Sequence, residues 1–383
     1  MAEGSTIPAL VEYLAQIPEY RQRQGRRHPL LALLLLVGVA MLCGARSQSA
    51  IAAWGRFHGQ PWLRRLGFTQ QRGPSQATRS RLFRAVPRAT VEAALGRWAE
   101  QVLRLCPPTQ ATDLEGVAVD GKRLRGSARQ GAIDAHLLSA CSHRLNVVLG
   151  QVGVPDKTNA IGAADALFRS LVLEGRGVTA DALLTQHEIA QTIVARRGDY
   201  LLVVKENQEQ LRADVSAAFA PQADAVGLVG TAWTVALHGG RIEQRCLTAT
   251  TALVSYSDWP GLQQALRLDR RVIDKATGQV LWQETAYAVT SCSPERATPA
   301  QLLRLWRDHW RIENQLHYIR DVTFDEDRAT VRAGHAPQVM AAFRNTAIGL
   351  LRRLGATNIA AGWRRCAARP RFALAAVGLT DFA

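Results

Sequence analysis

Two aspartates stand where short apolar runs give way to turns. Asp120 follows the run 117–119 and precedes Gly121, and Asp181 follows the run 178–180. Both runs predict β-strands. Taken singly, each aspartate is also what an Asp-Gly turn or a helix cap would place there. Two carboxylates on neighbouring strands repel each other unless a cation lies between them, and hard cations prefer carboxylate oxygens. The pair therefore indicates a cation site.

A predicted helix around residues 306–314 supplies a third acid, Glu313. His309, Glu313 and His317 are four residues apart, so they share one face of an α-helix. Three interpretations are open: Glu313 joins the two aspartates, the three side chains bind zinc or iron, or the face is simply exposed. Apolar residues on the same helix are expected to pack it against the core, namely Trp306, Trp310 and Ile312.

An acidic group follows this helix and is a rival source of the third acid. It is better explained as a solvated loop or cap. Its members are Asp321, Asp325, Glu326 and Asp327.

Composition narrows the class of protein. The net charge is +15 and the isoelectric point is about 10.4, which indicates a polyanionic partner, with nucleic acid first. The six cysteines lack zinc-ligand spacing, which favours a reducing compartment and no structural metal. No phosphate loop, nucleophile elbow or dinucleotide fingerprint is present, so the chain does not resemble an ATPase, a hydrolase or a dehydrogenase.

One predicted helix, over residues 75–86, carries a basic stripe. Arg81 and Arg84 lie on it and Arg88 lies just beyond, while the apolar residues face elsewhere. A helix that lies on DNA would show this pattern, and a solvated surface helix would show it equally well.

The chain divides at Pro107-Pro108, because consecutive prolines end a helix and stiffen a linker. Residues 1–106 are predicted to be helical, with a buried apolar helix at Leu30–Leu42 that is too short to span a membrane. From 112 to 383 strands alternate with helices, which indicates an α/β fold with some parallel pairing. A β-rich insertion is predicted at about 207–298, and further helices follow it.

Ordered motifs along nearly the whole chain resemble those of one protein family. The most specific are 119–127, 179–183, 240–243 and 309–317, the last continuing through 321–327. They are similar to the motifs of bacterial insertion-sequence transposases of the ISAs family, which includes the H-repeat-associated proteins.

This resemblance implies a ribonuclease H-like catalytic core with an Asp/Asp/Glu triad. The matching residues here are Asp120, Asp181 and Glu313, which would be both the catalytic residues and the metal ligands. Two Mg²⁺ ions, or Mn²⁺ ions in their place, would activate water and then a 3′-hydroxyl for attack on phosphodiesters. The expected reactions are cleavage at the ends of the element and strand transfer to target DNA.

The expected partner is double-stranded DNA, both terminal inverted repeats and target. A homodimer bound to DNA in the cytoplasm, at the nucleoid and away from membranes, is expected. Basic residues of the motifs and of the basic helix are the expected DNA contacts: Arg81, Arg84, Arg88, Lys122, Arg123, Arg125, Lys205 and Arg241.

The chain departs from the family pattern at a few positions, none of them in the triad. The family usually has Glu at Ala160, Gly at Glu206, a His-Gly pair at Gly239-Gly240 and Trp at Tyr318. Two alternatives therefore stay open. One is a domesticated or decayed relative that binds DNA without catalysis, and the other is a ribonuclease H-like nuclease that cuts without joining.

Overall fold

Helices fill the first hundred residues of the computed structural model, which describes residues 7–108, 114–127, 135–154, 160–220 and 227–379. They are α1 (Leu10–Ala15), α2 (Leu30–Leu42), α3 (Gln48–Arg65), α4 (Gln76–Ala85) and α5 (Arg88–Leu105). Helix α2 has the predicted bounds, and all its residues except Leu31 are buried. The longer segment Arg23–Leu42 is apolar enough to span a membrane by length and composition, and 72% of it is buried inside the protein.

Nine strands occur in the described residues. They are β1 (Glu115–Leu124), β2 (Ala135–Ser142), β3 (Val148–Val154), β4 (Arg176–Ala180), β5 (Asp199–Val204), β6 (Leu228–His238), β7 (Arg241–Thr250), β8 (Gln264–Asp274) and β9 (Val280–Thr290). The remaining α-helices are α6 (Ala160–Ser170), α7 (His187–Ala195), α8 (Glu209–Ala217), α9 (Pro299–His309), α10 (Ala336–Arg353), α11 (Ile359–Ala368) and α12 (Arg371–Ala376). This mixed architecture confirms the predicted α/β class, whereas the ribonuclease H-like core stays a prediction.

The chain forms two compact units, and each unit consists of more than one segment of the chain. Unit 1 comprises 1–107, 121–159 and 311–383, and unit 2 comprises 108–120 and 160–310. The predicted domains, 1–106 and 112–383, stay a prediction. Within unit 1 the chain after residue 310 packs both with the N-terminal helices and with strands β2 and β3, because α10 contacts α2, α5 and this strand pair.

Unit 2 contains a sheet in the order β1-β4-β5-β9-β8-β7-β6. Strands β1, β4 and β5 are parallel, with Val119 opposite Ala180 and Ala180 opposite Leu202. Strand β9 then pairs antiparallel with β5, and β8, β7 and β6 follow as an antiparallel meander. Strands β6, β7, β8 and β9 lie within the predicted β-rich insertion, and they extend the same sheet as the parallel strands.

One face of this sheet packs on α9. Leu302 and Trp306 of the helix join buried strand residues such as Leu247, Leu266 and Ala288 in one apolar cluster. Gly177 on β4 permits the close packing at this point, because a Cβ there would lie 3.2 Å from Leu305 of α9. The helix is thereby fixed beside the parallel strands.

Unit 1 is mainly helical around the antiparallel pair β2 and β3. Helices α5 and α10 pack on this pair, and α10 is buried along nearly its whole length. Beyond Trp310 the backbone is not the predicted continuous α-helix. It forms two π-helical stretches, Glu313–His317 and Ile319–Thr323, and a 3₁₀ turn at Glu326–Arg328.

Candidate active site

The two aspartates lie side by side in unit 2. Residue pairing between β1 and β4 ends at Val119 and Ala180, so Asp120 and Asp181 each follow the last paired residue of neighbouring parallel strands. Strand β4 stops there, while β1 runs on to Leu124. Asp120 is half-buried and Asp181 is exposed. The strand register therefore brings together the two acids that the sequence placed on adjacent strands.

Electrostatics shows that these carboxylates interact. The pKa of Asp181 is raised, first by loss of hydration and then by the negative charge of Asp120. His309 and the backbone N–H groups of Leu183 and Leu184 act in the opposite direction. A raised pKa beside a second carboxylate is typical of two acids whose mutual repulsion would be reduced by a cation bound between them. The donor set at this position fits a hard cation such as Mg²⁺.

His309 belongs to this aspartate pair rather than to a separate metal site. It is the last residue of α9, it is 6% exposed, and its Nδ1 lies 3.0 Å from the hydroxyl of Thr179 on β4. The sequence analysis did not include Thr179 among the site residues. It could have been noticed as a hydroxyl side chain in the short strand that leads to Asp181. The alternative His/Glu/His zinc or iron site is not supported, because within the described ranges no three His, Cys, Asp or Glu side chains group as metal ligands.

The third predicted acid, Glu313, lies in unit 1. It is exposed and begins the first π-helical stretch. Trp306 and Ile312 are buried as predicted, but Trp310, which directly follows the last residue of α9, is 53% exposed. The described residues contain no three-acid group, so convergence of Glu313 with the two aspartates stays a prediction.

The acidic group that follows Glu313 is not the predicted solvated loop. Both carboxylate oxygens of Asp321 accept hydrogen bonds from Lys122 Nζ, at 2.5 and 2.6 Å. Lys122 is only 8% exposed. Lys122 thus forms an internal ion pair with Asp321, and its contact with DNA stays a prediction.

Glu326 departs furthest from the solvated-loop prediction. It is 3% exposed and lies between two buried arginines, with 2.7 Å to Arg320 Nη2 and 2.7 Å to Arg344 Nη1. Burial raises the pKa of Glu326, but the two guanidinium groups together outweigh it and hold the pKa below its ordinary value. These three residues, Arg320, Glu326 and Arg344, are called the buried ion cluster below.

Comparison with known proteins agrees with these features. Residues 111–350 match the family model of the transposase DDE domain, and residues 11–99 match its associated domain, described as DDE_Tnp_1-associated. The chain belongs to the DDE transposase family. The resemblance noted in the motifs is thereby confirmed, and the chain is a bacterial-type transposase of a mobile element.

Relatives of this transposase span almost its whole length. "Putative transposase YncI" of Escherichia coli O157:H7 is 30% identical over 91% of this chain and 88% of the relative. "H repeat-associated putative transposase YhhI" of E. coli K12 is 28% identical over 90% of each chain. A solved piggyBac transposase synaptic complex with hairpin DNA is 10% identical and covers 97% of this chain and 78% of that one. Its TM-score of 0.41 is too low to establish a common fold.

Most of the transposase's expected DNA contacts are on the surface. Arg88 differs, since it is half-buried as the first residue of α5 and its Nη1 donates to Gln338 Oε1 at 2.6 Å. Arg125 lies 3.9 Å from Asp327. The exposed members of the set are Arg81, Arg84, Arg123, Arg125, Lys205 and Arg241. Their contact with DNA stays a prediction.

The departures of this transposase from the family pattern have local explanations. Glu206 lies 3.7 Å from Arg212, so its extra charge has a basic partner beside Lys205. Gly239 and Gly240 form the β6–β7 turn with φ of 49° and 82°. Two consecutive positive φ angles are what a tight hairpin turn requires and what glycine adopts without strain. Ala160 begins α6 and Tyr318 is exposed.

Proposed function

We propose that this transposase cleaves DNA at the ends of its element and joins those ends to target DNA, with Asp120, Asp181 and Glu313 as metal ligands. The observation that carries the proposal is the pair of interacting carboxylates that directly follow the last paired residues of the neighbouring parallel strands β1 and β4. The parallel strands β1, β4 and β5 support a ribonuclease H-like core, as does the antiparallel pair β2 and β3, which lies between β1 and β4 in the chain.

Each residue of the site has a distinct role in this proposal. Asp120 and Asp181 bind the cations, and Glu313 completes the ligand set. Two bound Mg²⁺ or Mn²⁺ ions would activate the attacking hydroxyl and stabilise the attacking and leaving oxygens. His309 is oriented by Thr179 and favours the ionised form of Asp181, which is the form that binds a cation. The acids are ligands and not nucleophiles.

The proposed setting is a homodimer on double-stranded DNA in the cytoplasm, at the nucleoid. The net charge of +15 supports a polyanionic partner. All six cysteines lie within the described residues and none forms a disulfide, which supports a reducing compartment.

Cleavage of a plasmid that carries the inverted repeats flanking the coding sequence tests the proposal. We expect Asp120→Asn, Asp181→Asn and Glu313→Gln each to reduce cleavage and joining by about a hundred- to a thousandfold, because each removes charge from the site that stabilises the reacting oxygens. DNA affinity should stay within a few-fold of wild type. Glu188→Gln, at an exposed acid on α7, is the matched control and should be fully active.

The metal requirement sharpens this test. Mg²⁺ or Mn²⁺ should support the reaction, whereas Ca²⁺ should support binding with little chemistry, because Ca²⁺ tolerates looser coordination. Wild-type protein that binds the ends but never cuts them with Mg²⁺ or Mn²⁺ would establish the DNA-binding alternative. Cutting without joining would establish the nuclease alternative. Full activity of Glu313→Gln would show that the third ligand is another acid.

A further inference from the structure

A polar groove lies in unit 1, outside the acids that the proposed reaction uses. Its volume is about 410 Å³. It is formed by the start of α3, by α4 and by the segment 329–336. Ligand pockets of this size are usually lined by apolar side chains. This one is lined largely by arginine, serine, threonine and glutamine, which indicates a polar ligand.

The charge of the groove has one sign. Arg46, Arg84 and Arg332 line it, and none of its thirteen lining residues, all within the described part of the chain, is acidic. None of the three arginines has an ion pair with an acid of that part. Arg46 stacks on the ring of Trp363 at 5.5 Å, and Arg332 Nε donates to the carbonyl of Gly126 at 3.2 Å. Three exposed guanidinium groups without neutralising carboxylates favour an anion.

Backbone dipoles add to this charge. Gln48, Gln76 and Ala336 line the groove, and they are the first residues of α3, α4 and α10. The N-terminus of each helix carries a partial positive charge and presents backbone N–H groups. Three such ends meeting at one groove with three arginines provide a field that oxyanions of phosphate match well.

A buried amide points to the same kind of ligand. Gln48 is only 8% exposed, it lines the groove, and its side chain makes no hydrogen bond to any described residue. The amide atoms of Gln48 are not among the fully buried polar atoms that lack a partner in the described residues, so they are open to solvent or to a ligand. Its amide N–H group is available to donate to an anion bound in the groove.

The walls of the groove are held in place by close contacts. Gly334 has a φ of 56°, and a Cβ there would lie 2.6 Å from the carbonyl oxygen of Arg84. His335 Nδ1 lies 2.9 Å from the carbonyl oxygen of Val86. Below the groove, buried Arg344 donates to the carbonyl of Arg46 at 3.2 Å. These contacts fix the backbone from which the arginine side chains extend, so less conformational entropy is lost when a ligand binds.

We propose that this groove, called the phosphate groove, binds backbone phosphates of duplex DNA. The proposal rests on the proposed function for the presence of DNA, and it adds Arg46, Arg332 and Gln48 as contacts beyond those predicted. Contacts to phosphate carry no sequence information directly, so the groove would position any duplex and not select one.

The test removes the three arginine charges of the groove and compares the effect with that of removing three arginine charges outside it. The variant Arg46→Gln/Arg84→Gln/Arg332→Gln is compared with Arg64→Gln/Arg364→Gln/Arg369→Gln, three exposed arginines of the same unit outside the groove. Affinity of the full chain for a duplex of unrelated sequence is measured by fluorescence anisotropy over a range of KCl concentrations. Circular dichroism melting verifies that both variants are folded.

We expect the groove variant to lose affinity on the order of a hundredfold, since charge-assisted hydrogen bonds are lost. The slope of log affinity against log salt should become shallower by about 2.7, because each phosphate contact contributes roughly 0.9. The control should stay within a few-fold of wild type. Equal losses in the two variants would overturn the proposal.

The neutral change Gln48→Leu provides a second measurement that does not depend on charge. We expect it to weaken DNA binding several-fold without changing the salt slope, because one uncharged donor is lost. Unchanged affinity in Gln48→Leu, together with equal losses in the two arginine variants, would place the contacts elsewhere.

Pyrophosphate separates a small-anion site from a DNA site. Pyrophosphate at millimolar concentration should raise the melting temperature of the wild type but not that of the groove variant. If it does so while the groove variant keeps wild-type affinity for DNA, the groove binds small phosphates and the DNA proposal is overturned. A wild type that binds no duplex even at low salt would contradict the proposed function itself, whereas DNA binding that ignores the groove contradicts this inference alone.

Discussion

Two regions that carry the predicted acids are stabilised by different interactions. One is the pair of parallel strands with Asp120 and Asp181, and the other is the segment with Glu313. Asp120 lies within β1 and Asp181 follows β4, and each comes directly after buried apolar residues where the two parallel strands pair. The segment after Glu313 has π-helical turns, which lack the regular spacing of an α-helix. It is held by the Lys122–Asp321 pair and by the buried ion cluster.

This difference predicts how each region tolerates change. Backbone hydrogen bonds between strands persist when a side chain is altered, so the first region should be robust. A buried ion pair pays for the desolvation of both charges, and removal of one partner leaves the other charge uncompensated. The second region should therefore be sensitive to single substitutions that leave the backbone and the volume nearly unchanged.

The largest effect should come from Glu326→Gln. It leaves buried Arg320 and Arg344 without a counter-charge, and we expect the free energy of unfolding to fall by about 3–5 kcal/mol in urea denaturation. Asp325→Asn is the control, since Asp325 is 3.8 Å from Arg328 in an exposed pair and asparagine also adopts its left-handed backbone. The control should change stability by less than about 1 kcal/mol. Equal effects would remove the distinction between the two regions.

Lowering the pH should remove part of the stability that the charge of Glu326 gives the wild type, and this loss should be smaller than that caused by Glu326→Gln. The pKa of Glu326 is lowered in the folded protein by Arg320 and Arg344 despite its burial. A lowered folded pKa gives stability that is complete above the unfolded value, about 4.3, and is lost as the pH falls through the folded value. Urea midpoints measured from pH 6 down to pH 3 should show this loss. A Glu326→Gln background should lack that part of the pH dependence, and an unchanged profile there would contradict the assignment.

A smaller destabilisation should follow from Asp321→Asn. The substitution leaves the ammonium of Lys122 with a neutral partner in a site that is 8% exposed, and we expect a loss of about 1–3 kcal/mol. A double-mutant cycle with Lys122→Met isolates the pair, because the loss should largely disappear when both charges are absent. A coupling energy near zero would show that the pair contributes no stability.

The smallest effect should arise in the strand region. Thr179→Val removes the hydrogen bond to His309 while it preserves the volume and the strand preference, and we expect a loss of about 1 kcal/mol. Thr231→Val, at an exposed position on β6, should have almost no effect. A loss from Thr179→Val as large as that from Glu326→Gln would show that the strand ends depend on side chains as much as the second region does.

The sequence by itself determined the features that depend on neighbouring residues. The uninterrupted apolar run of α2 and the Ser75 cap of α4 define these helices almost to the residue. Asp120 and Asp181 could each be placed at a short strand because a short apolar run that leads to an acid is a local pattern, whereas the adjacency of the two strands comes from the tertiary pairing of β1 with β4. The family could likewise be identified from its motifs, since each is a short string of residues.

Tertiary structure alone decided the surroundings of the segment after Glu313. Glu326 belongs to a string of acids that indicates a solvated loop, and its burial depends on Arg344, which is 18 residues away. Asp321 meets Lys122, which is 199 residues away. The π-helical turns replace an α-helix for which the local periodicity was favourable. Whether a charged side chain is solvated or buried depends on the free energy of its interactions with residues that are distant in the sequence. The local spacing of residues does not contain that information.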